Sequence, residues 1–361
     1  MTESERYARQ TVLPGFGIDG QLRLAKARVL VIGAGGLGSA VIPALAAAGV
    51  GTIGIVDDDT VELSNLHRQL IHGVQDIGVS KTTSAALSVA AIDPGTVVRQ
   101  FPVRLSSENA LGLFAGFDLV IDGSDNFPTR YLANDAAVLS HLPLVWGAVS
   151  QYGGQAGVAW AERGPQYRDL FPTPPPPGSV QSCEVGGVLP TVVAVIGSIM
   201  ATEALKLLSG VGTPLVGRVT TFDALTGSFR EVAYERDPAA RPITELVDYE
   251  LFCGLPSRSE SISSEALSGE LASDRPPVLV DVREPWEAEI AALPGAVLVP
   301  LGTLESAQLD PTAPIVLYCH HGIRSATALD ILRERGFTTV RHLDGGIDAW
   351  ARTIDPEMSR Y

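Results

Sequence analysis

Between a short apolar run, Arg28–Ile32, and a helix-favouring stretch, Ser39 to Ala48, lies Gly33-Ala34-Gly35-Gly36-Leu37-Gly38. The spacing G-x-G-x-x-G at a strand-to-helix junction lets backbone approach a phosphate closely. The helix start then offers N–H groups and a positive dipole end to that anion. A second apolar run, Thr52–Val56, ends at Asp57, Asp58 and Asp59, and a third, Leu119–Ile121, ends at Asp122. Short β-rich runs alternating with helices predict a parallel, doubly wound α/β sheet. The glycine spacing alone fits a dinucleotide oxidoreductase with Asp57 on the ribose, another nucleotide site, or a tight turn without a ligand.

A chain of 361 residues exceeds the usual ceiling for one hydrophobic core, so two domains are expected. The polar, Ser-rich segment 254–264 (Gly254 to Ser264) reads as a linker between a domain at 1–253 and another at 265–361. With 41 acids against 26 Lys plus Arg, the net charge of -15 opposes nucleic acid or an anionic membrane as the main partner. The opening MTESERYARQ has no signal pattern, and three scattered cysteines make no disulfide framework. A cytoplasmic protein is therefore expected. Val188 to Leu208 is strongly apolar, but Pro190, Glu203 and Lys206 mark it as a buried core helix rather than a bilayer span.

Past the glycine cluster come Asp57-Asp58-Asp59-Thr60-Val61-Glu62-Leu63-Ser64-Asn65-Leu66-His67-Arg68-Gln69, Gly78-Val79-Ser80-Lys81 and Asp122-Gly123-Ser124-Asp125-Asn126. Together with Arg6-Tyr7-Ala8-Arg9-Gln10, these motifs resemble the ubiquitin-activating enzyme superfamily, most of all its MoeB/ThiF adenylyltransferases. The resemblance covers roughly residues 5 to 250. It implies a Rossmann-like ThiF adenylation domain with a mixed sheet, using ATP and Mg²⁺. It further implies that Asp57 takes the ribose hydroxyls, that Asn65 and Gln69 orient the triphosphate, and that Asp125 holds Mg²⁺. Gly36 and Asn126 belong to the same nucleotide site. Arg9 resembles an arginine that reaches into a neighbouring subunit's site, implying a homodimer. A carboxylate attacking the α-phosphate is an anion approaching a polyanion, so the need is for charge neutralisation rather than for a general base. Arg68 and Lys81 are the cations placed to meet it. Ordinary alternatives stand beside these roles: a surface ion pair for Arg68 and Lys81, a solvated arginine for Arg9, a turn residue for Asp125.

Members of that superfamily carry two C-x-x-C pairs that hold a structural zinc. Here Gln166 and Asp169 occupy the first pair's place, and Glu250-Leu251-Phe252-Cys253 leaves one sulfur at the second. No zinc is expected. Hydrogen bonding or packing must close that corner, with Cys253 a small buried apolar residue.

Two cysteines remain for chemistry. Cys183, in Ser182-Cys183-Glu184-Val185-Gly186-Gly187-Val188 after the proline-rich stretch Pro172 to Ser182, resembles the superfamily cysteine that meets the activated carrier; a cysteine capping the next helix is the alternative. Cys319 opens Cys319-His320-His321-Gly322-Ile323-Arg324-Ser325 between a buried strand and a helix. Loop N–H groups, a helix start and Arg324 would favour a nucleophilic thiolate and steady a persulfide, while His320 and His321 tune the loop's charge. With Asp281-Val282-Arg283-Glu284-Pro285-Trp286-Glu287 and Leu343-Asp344-Gly345-Gly346-Ile347-Asp348-Ala349-Trp350, this part resembles a rhodanese domain, a smaller α/β unit.

The fusion resembles the MoeZ type. It implies adenylation of the C-terminal Gly-Gly carboxylate of a small ubiquitin-like sulfur-carrier protein (MoaD-, ThiS- or CysO-like), then persulfide transfer to a thiocarboxylate. Thiosulfate or a cysteine desulfurase would be the sulfur donor, and molybdopterin synthesis is one pathway served. The alternatives are an adenylyltransferase-only enzyme or carrier-binding scaffold with an independent sulfurtransferase, and a nicotinamide oxidoreductase carrying a sulfur domain.

Overall fold

The structure, a computed structural model, describes residues 3–175, 186–253, 260–273 and 275–360. Two units make up the chain, the first closing at Tyr249 and the second built from Glu250 onward. In the first, β1 (Arg28–Ile32) lies parallel between β2 (Thr52–Val56) and β4 (Leu119–Asp122), with Val31 opposite Ile55 on one side and Ile121 on the other. Val29 to Ile32 are at most 3 % exposed, which is why this run is apolar on both faces. β3 (Val97–Phe101) extends the sheet beyond β2, and β5 (Leu144–Ser150) runs parallel to β4. β6 (Gly153–Ala159), β7 (Arg218–Asp223) and β8 (Ser228–Ala233) then follow antiparallel, giving the order β3-β2-β1-β4-β5-β6-β7-β8. The sheet is mixed, as expected.

Chain order reverses between β1 and β4, which opens a crevice at the carboxyl ends of those strands. Gly33 leaves β1 and Gly123 leaves β4 at that crevice. The helix after β1 begins at Gly36 rather than Ser39, so the glycines form its first turn.

The apolar stretch after Val188 forms the helix Pro190–Ser209. Its mean hydropathy of 1.7 and its 20 residues would suffice for a membrane span, yet one face is packed on the sheet and on the helix Gly36–Ala47. Glycines make that packing close. A Cβ on Gly197 would lie 2.6 Å from that of Ala40, and one on Gly147 would lie 2.4 Å from Met200 Sδ. Glu203 is buried and accepts the Leu215 N–H at 2.7 Å, with Lys206 paired to it. The expected core helix is only half buried, because Val195, Ile199 and Leu205 lie on a partly exposed face.

The corner around Gln166 and Asp169, where the resemblance placed the first cysteine pair, is closed by hydrogen bonds. Gln166 Oε1 accepts from Asn134 Nδ2 at 2.6 Å and from the Arg168 N–H at 3.1 Å. Asp169 accepts the N–H groups of Gln166 (2.7 Å) and Asp237 (3.0 Å). Asp135, 2 % exposed, takes Arg168 Nε at 2.8 Å and the Tyr249 hydroxyl at 2.7 Å. Burial, and then the Asp135 charge, raise the Tyr249 phenol's pKa, so it stays a donor. Cys253 is buried, as expected.

The second unit carries an all-parallel sheet in the order β11-β10-β12-β13-β9: Val297–Leu298, Val278–Asp281, Ile315–Tyr318, Val340–Leu343 and Ser261–Ile262. Ile315 and Leu317 of β12 pack into one apolar cluster, Val316 and Tyr318 into another on the opposite face. Cys319 follows this central strand, and the helix Ile323–Glu334 follows its loop.

Asp135→Ala should cost the first unit about 3 kcal/mol by stranding a largely buried arginine, whereas Tyr249→Phe should cost about 1 kcal/mol. Urea unfolding checks both; equal, negligible losses would mean the network does not hold the corner.

Candidate nucleotide and persulfide sites

Backbone contact comes first at the crevice. Gly33 has φ +88, and a Cβ on Gly38 would lie 2.1 Å from the Gly33 carbonyl oxygen, so no side chain fits there. Gly123 N–H bonds the Ile32 carbonyl at 2.9 Å, which seats the β4 loop against the glycine turn. Gly35 caps the helix Gly36–Ala47 without a side chain, leaving the approach to its first N–H groups uncovered. Gly36 itself packs against Val193, whose Cγ1 an added Cβ would meet at 2.9 Å.

Asp57 ends β2 and accepts the Ala34 N–H at 2.8 Å and the Asp59 N–H at 2.9 Å. Burial raises its carboxyl pKa, opposed by Lys81 and by these N–H groups. Lys81, 6 % exposed, pairs with Asp59 at 2.7 Å because Thr60 and Ser80 form a short antiparallel bridge. Burial opposes its charge, but Asp57, Asp59 and Asp125 together hold its pKa above the ordinary lysine value. Lys81 is thus a buried, permanently charged cation among carboxylates.

Asn65 is buried, and its Oδ1 accepts the Glu62 N–H at 3.3 Å. Gln69 is 4 % exposed, yet its Oε1 has no hydrogen-bond partner among the described residues. Its Nε2 would lie 3.7 Å from a Cβ on Gly35, so this side chain borders the glycine turn. Arg68, expected to face the phosphates, folds onto its own loop: its guanidinium reaches the Ser64 carbonyl at 3.1 Å and His67 Nε2 at 2.9 Å. Its backbone carbonyl oxygen would lie 3.9 Å from a Cβ on Gly36. Asp125 is exposed and close enough to Lys81 to raise its pKa. Asn126 caps the helix Phe127–Leu139 by accepting the Thr129 N–H at 2.9 Å, which gives that side chain a structural task. Asp57, Asp58 and Asp59 bring carboxylate oxygens within 4.8 Å of one another, a donor set suited to a hard cation. Arg9 is exposed and has no hydrogen bond or ion pair among the described residues. Cys183 lies outside the described residues.

Two positioning devices escaped the motif reading. His72 is buried, with Nε2 2.9 Å from the Ala34 carbonyl and Nδ1 2.8 Å from Ser84 Oγ, tying the glycine turn to the Lys81 helix. Burial lowers its pKa. Arg130, 6 % exposed, reaches the carbonyls of Ser124 (2.9 Å) and Gly147 (3.1 Å) and the carboxylate of Asp122 (3.4 Å). It fixes the loop carrying Asp125. Their only sequence signal was polar character inside otherwise apolar stretches.

In the second unit Cys319 is 1 % exposed, and the Gly322 N–H donates to its Sγ at 3.1 Å. Ser325 Oγ lies 3.6 Å from the sulfur and donates to the Gly322 carbonyl at 3.0 Å. Gly346 explains its motif: a Cβ there would lie 2.5 Å from the Cys319 carbonyl, and the next N–H, of Ile347, bonds that carbonyl at 2.8 Å. Arg324, expected to charge the loop, is matched by two bonds (2.6 and 2.7 Å) to the buried carboxylate of Glu287. Its field at the sulfur is offset by that partner. His320 stacks on His321 at 3.9 Å, and its pKa falls to about 4, first through burial and then through its neighbour. A neutral His320 adds no charge at pH 7, contrary to the expected tuning. His320, His321 and Asp348 cluster within 4.8 Å, but Asp348 already carries Arg352 and Arg360. Arg283, wholly buried, holds Asp281 at 2.8 Å and braces the loop before the helix Pro285–Ile290.

Residues 7–241 match the ThiF family and residues 264–353 the rhodanese-like domain. The chain is 49% identical over 99% of its length, and 95% of the relative's, to a "Probable adenylyltransferase/sulfurtransferase MoeZ" of Mycobacterium tuberculosis. It is 41% identical to "Adenylyltransferase and sulfurtransferase MOCS3" of Drosophila yakuba, covering 99% of this chain and 84% of that one. A "Sulfur carrier protein adenylyltransferase" of Thermus thermophilus matches 70% of this chain and 97% of its own length at 51% identity. Among solved structures, E. coli MccB crystallised with ATP has a TM-score of 0.58 at 19% identity, over 65% of this chain and 73% of that one. That likeness concerns the fold. The glycine-turn unit and the cysteine-loop unit each answer to one of these families, and the chain is a member of the ThiF family that carries a rhodanese-like domain after it.

Proposed function

We propose that the first unit transfers AMP from ATP to the C-terminal Gly-Gly carboxylate of a small ubiquitin-like sulfur carrier, and that a Cys319 persulfide converts the product to a thiocarboxylate. The observation that carries this is one chain holding both a glycine turn ringed by Asp57, Gln69, Lys81 and Asp125 and a buried cysteine cradled by loop N–H groups. Relatives named adenylyltransferase/sulfurtransferase support it.

Lys81 would neutralise charge as the carrier carboxylate meets the α-phosphate, and the turn's N–H groups would cradle the phosphates. Asp57 would hold the ribose, and Gln69 Oε1, without a partner among the described residues, and Asn65 would orient the nucleotide. Arg68 would serve only after its guanidinium leaves the Ser64 carbonyl. The exposed Asp125 would hold Mg²⁺, which when bound would offset the negative charge of the phosphates.

In the second half, the terminal sulfur of Cys319-S-S⁻ attacks the acyl adenylate, forming an acyl disulfide and expelling AMP. A thiolate, from Cys183 or an external thiol reductant, then attacks Cys319 Sγ. The thiocarboxylate leaves, and a mixed disulfide remains on Cys319 until a second thiol reduces it. Thiosulfate or a cysteine desulfurase would reload the sulfur, and molybdopterin synthesis is one pathway such a carrier serves. We place the protein in the cytoplasm, with no structural zinc, since Gln166 and Asp169 serve as helix-capping groups. A homodimer is supported by Arg9, by the half-exposed apolar face of Pro190–Ser209, and by a groove of about 620 Å³ lined by Val195, Ile199, Leu215 and Phe229.

Incubating MoaD-, ThiS- and CysO-type carriers with enzyme, Mg·ATP and thiosulfate should add ~16 Da to one of them, the exchange of oxygen for sulfur. Cys319→Ala should abolish that gain and spare AMP formation; full-rate thiocarboxylate from this variant would defeat the donor assignment. Lys81→Met should slow adenylation roughly 10²–10³-fold; unaltered AMP release would defeat the nucleotide site. The pH dependence has a definite sign. His320 binds a proton at about 4 in the folded loop against 6.5 unfolded, so the second unit should lose stability as pH falls from 6.5 toward 4. His320→Asn should flatten that slope in thermal melts.

A further inference from the structure

Two consecutive peptides of the glycine turn are gripped by side chains. The Ala34 N–H goes to Asp57 at 2.8 Å, and the Ala34 carbonyl meets His72 Nε2 at 2.9 Å. The peptide carrying that carbonyl is trans, so the Gly35 N–H on its other side points away from His72. Among the described residues this N–H has no partner. Gly35 caps the helix Gly36–Ala47, which makes its N–H one of the donors that a phosphate at the turn would meet.

A count of hydrogens shows how His72 is held. The Ala34 carbonyl can only accept, so Nε2 carries a hydrogen. Nδ1 lies 2.8 Å from Ser84 Oγ, and Ser84 Oγ lies 2.9 Å from Asp76 Oδ2. Ser84 has one hydroxyl hydrogen for two neighbours. With a neutral imidazole and an ionised Asp76, one of these short contacts holds no hydrogen. One added proton completes both: Nδ1–H donates to Ser84, and Ser84 donates to Asp76. His72 is 6 % exposed and Ser84 1 %, so the contact between them is closed to water. The charged groups facing the ring are Lys81, on the Ser84 helix, and Asp76. Burial holds the ring's pKa below the ordinary histidine value, opposed by the Ala34 bond and Asp76 and joined by Lys81. A phosphate at the turn shifts that balance, since it brings negative charge to the far side of the peptide and offsets Lys81. An imidazolium in turn makes a charge-assisted bond to the Ala34 carbonyl and polarises the Gly35 N–H toward the anion.

We propose that His72, Ser84 and Asp76 are positioning residues that form a proton-linked clamp on the glycine turn. Nucleotide binding draws a proton from solvent onto His72 Nδ1, and the Ser84 hydroxyl swings from the imidazole to Asp76. The closed chain strengthens the Gly35 N–H as a phosphate donor. The inference rests on the adenylation reading above and adds a coupling between nucleotide and proton. Its sign is fixed: the ring binds its proton more weakly in the free protein than in the complex. Affinity for Mg·ATP therefore rises as pH falls between the two midpoints.

The experiment uses the full chain labelled with ¹⁵N-histidine, Mg·ATP and no carrier, so that the nucleotide is bound but not consumed. Six histidines are present, and His72→Gln identifies the ring by its missing signals. Ring ¹⁵N shifts followed against pH report its protonation directly. Its midpoint should rise by about one pH unit when Mg·ATP is bound. Ser84→Ala keeps the Nε2 bond to Ala34 and removes the relay, so its His72 midpoint should lose most of that response. Calorimetry supplies the second readout. From pH 8 to pH 6 the wild-type affinity for Mg·ATP should gain about threefold over that of Ser84→Ala, a comparison in which the nucleotide's own titration cancels. No binding of Mg·ATP by the wild type would sink the adenylation reading and the coupling with it. Binding that leaves the His72 midpoint in place, or a Ser84→Ala midpoint that moves as far as the wild type's, would overturn the clamp alone.

Discussion

Everything at the nucleotide crevice depends on one backbone approach: the amide of Gly38 packs where any side chain would collide with the Gly33 carbonyl. That contact turns β1 directly into a helix, aims the helix start at the crevice and leaves room for the β4 loop at Gly123. His72 and Arg130 then clamp the two loops through their carbonyl oxygens. The glycines give the turn its shape, and buried polar side chains outside the motif hold it.

The charged groups share a second pattern, since nearly every buried cation is matched before any substrate arrives. Among the described residues, buried Lys81 meets Asp59, Arg130 meets Asp122 and Arg283 meets Asp281, and the part-exposed Arg324 meets the buried Glu287. Matching is what makes these charges tolerable in low-dielectric surroundings. On the proposed function, the field at both sites would come from partly compensated pairs and from backbone N–H groups.

Much of this was legible in the sequence. β1, β2, β4 and β12 read cleanly because strands buried on both faces are continuous apolar runs, and the glycine and cysteine loops announced themselves by spacing. β3 did not, since Arg99 and Gln100 interrupt it on a half-exposed edge. The motif residues Asp57, Gln69, Lys81 and Asp125 gather around the turn, whereas the Arg68 guanidinium bonds its own loop and Arg324 is claimed by Glu287. Arg68 bonds its own loop at Ser64 and His67 through a rotamer that motif spacing does not announce, whereas the partner of Arg324 is distant in sequence. Glu287 lies 37 positions from Arg324, and no local pattern joins them.

The corner built from Asn134, Asp135, Gln166, Arg168, Asp169 and Tyr249 has a bearing on chemical resilience. Its cohesion resides in oxygen and nitrogen atoms, which neither oxidise under mild conditions nor scavenge sulfane sulfur. At these six positions the scaffold of a protein that handles mobile sulfur thus offers sulfane sulfur no thiolate to attack.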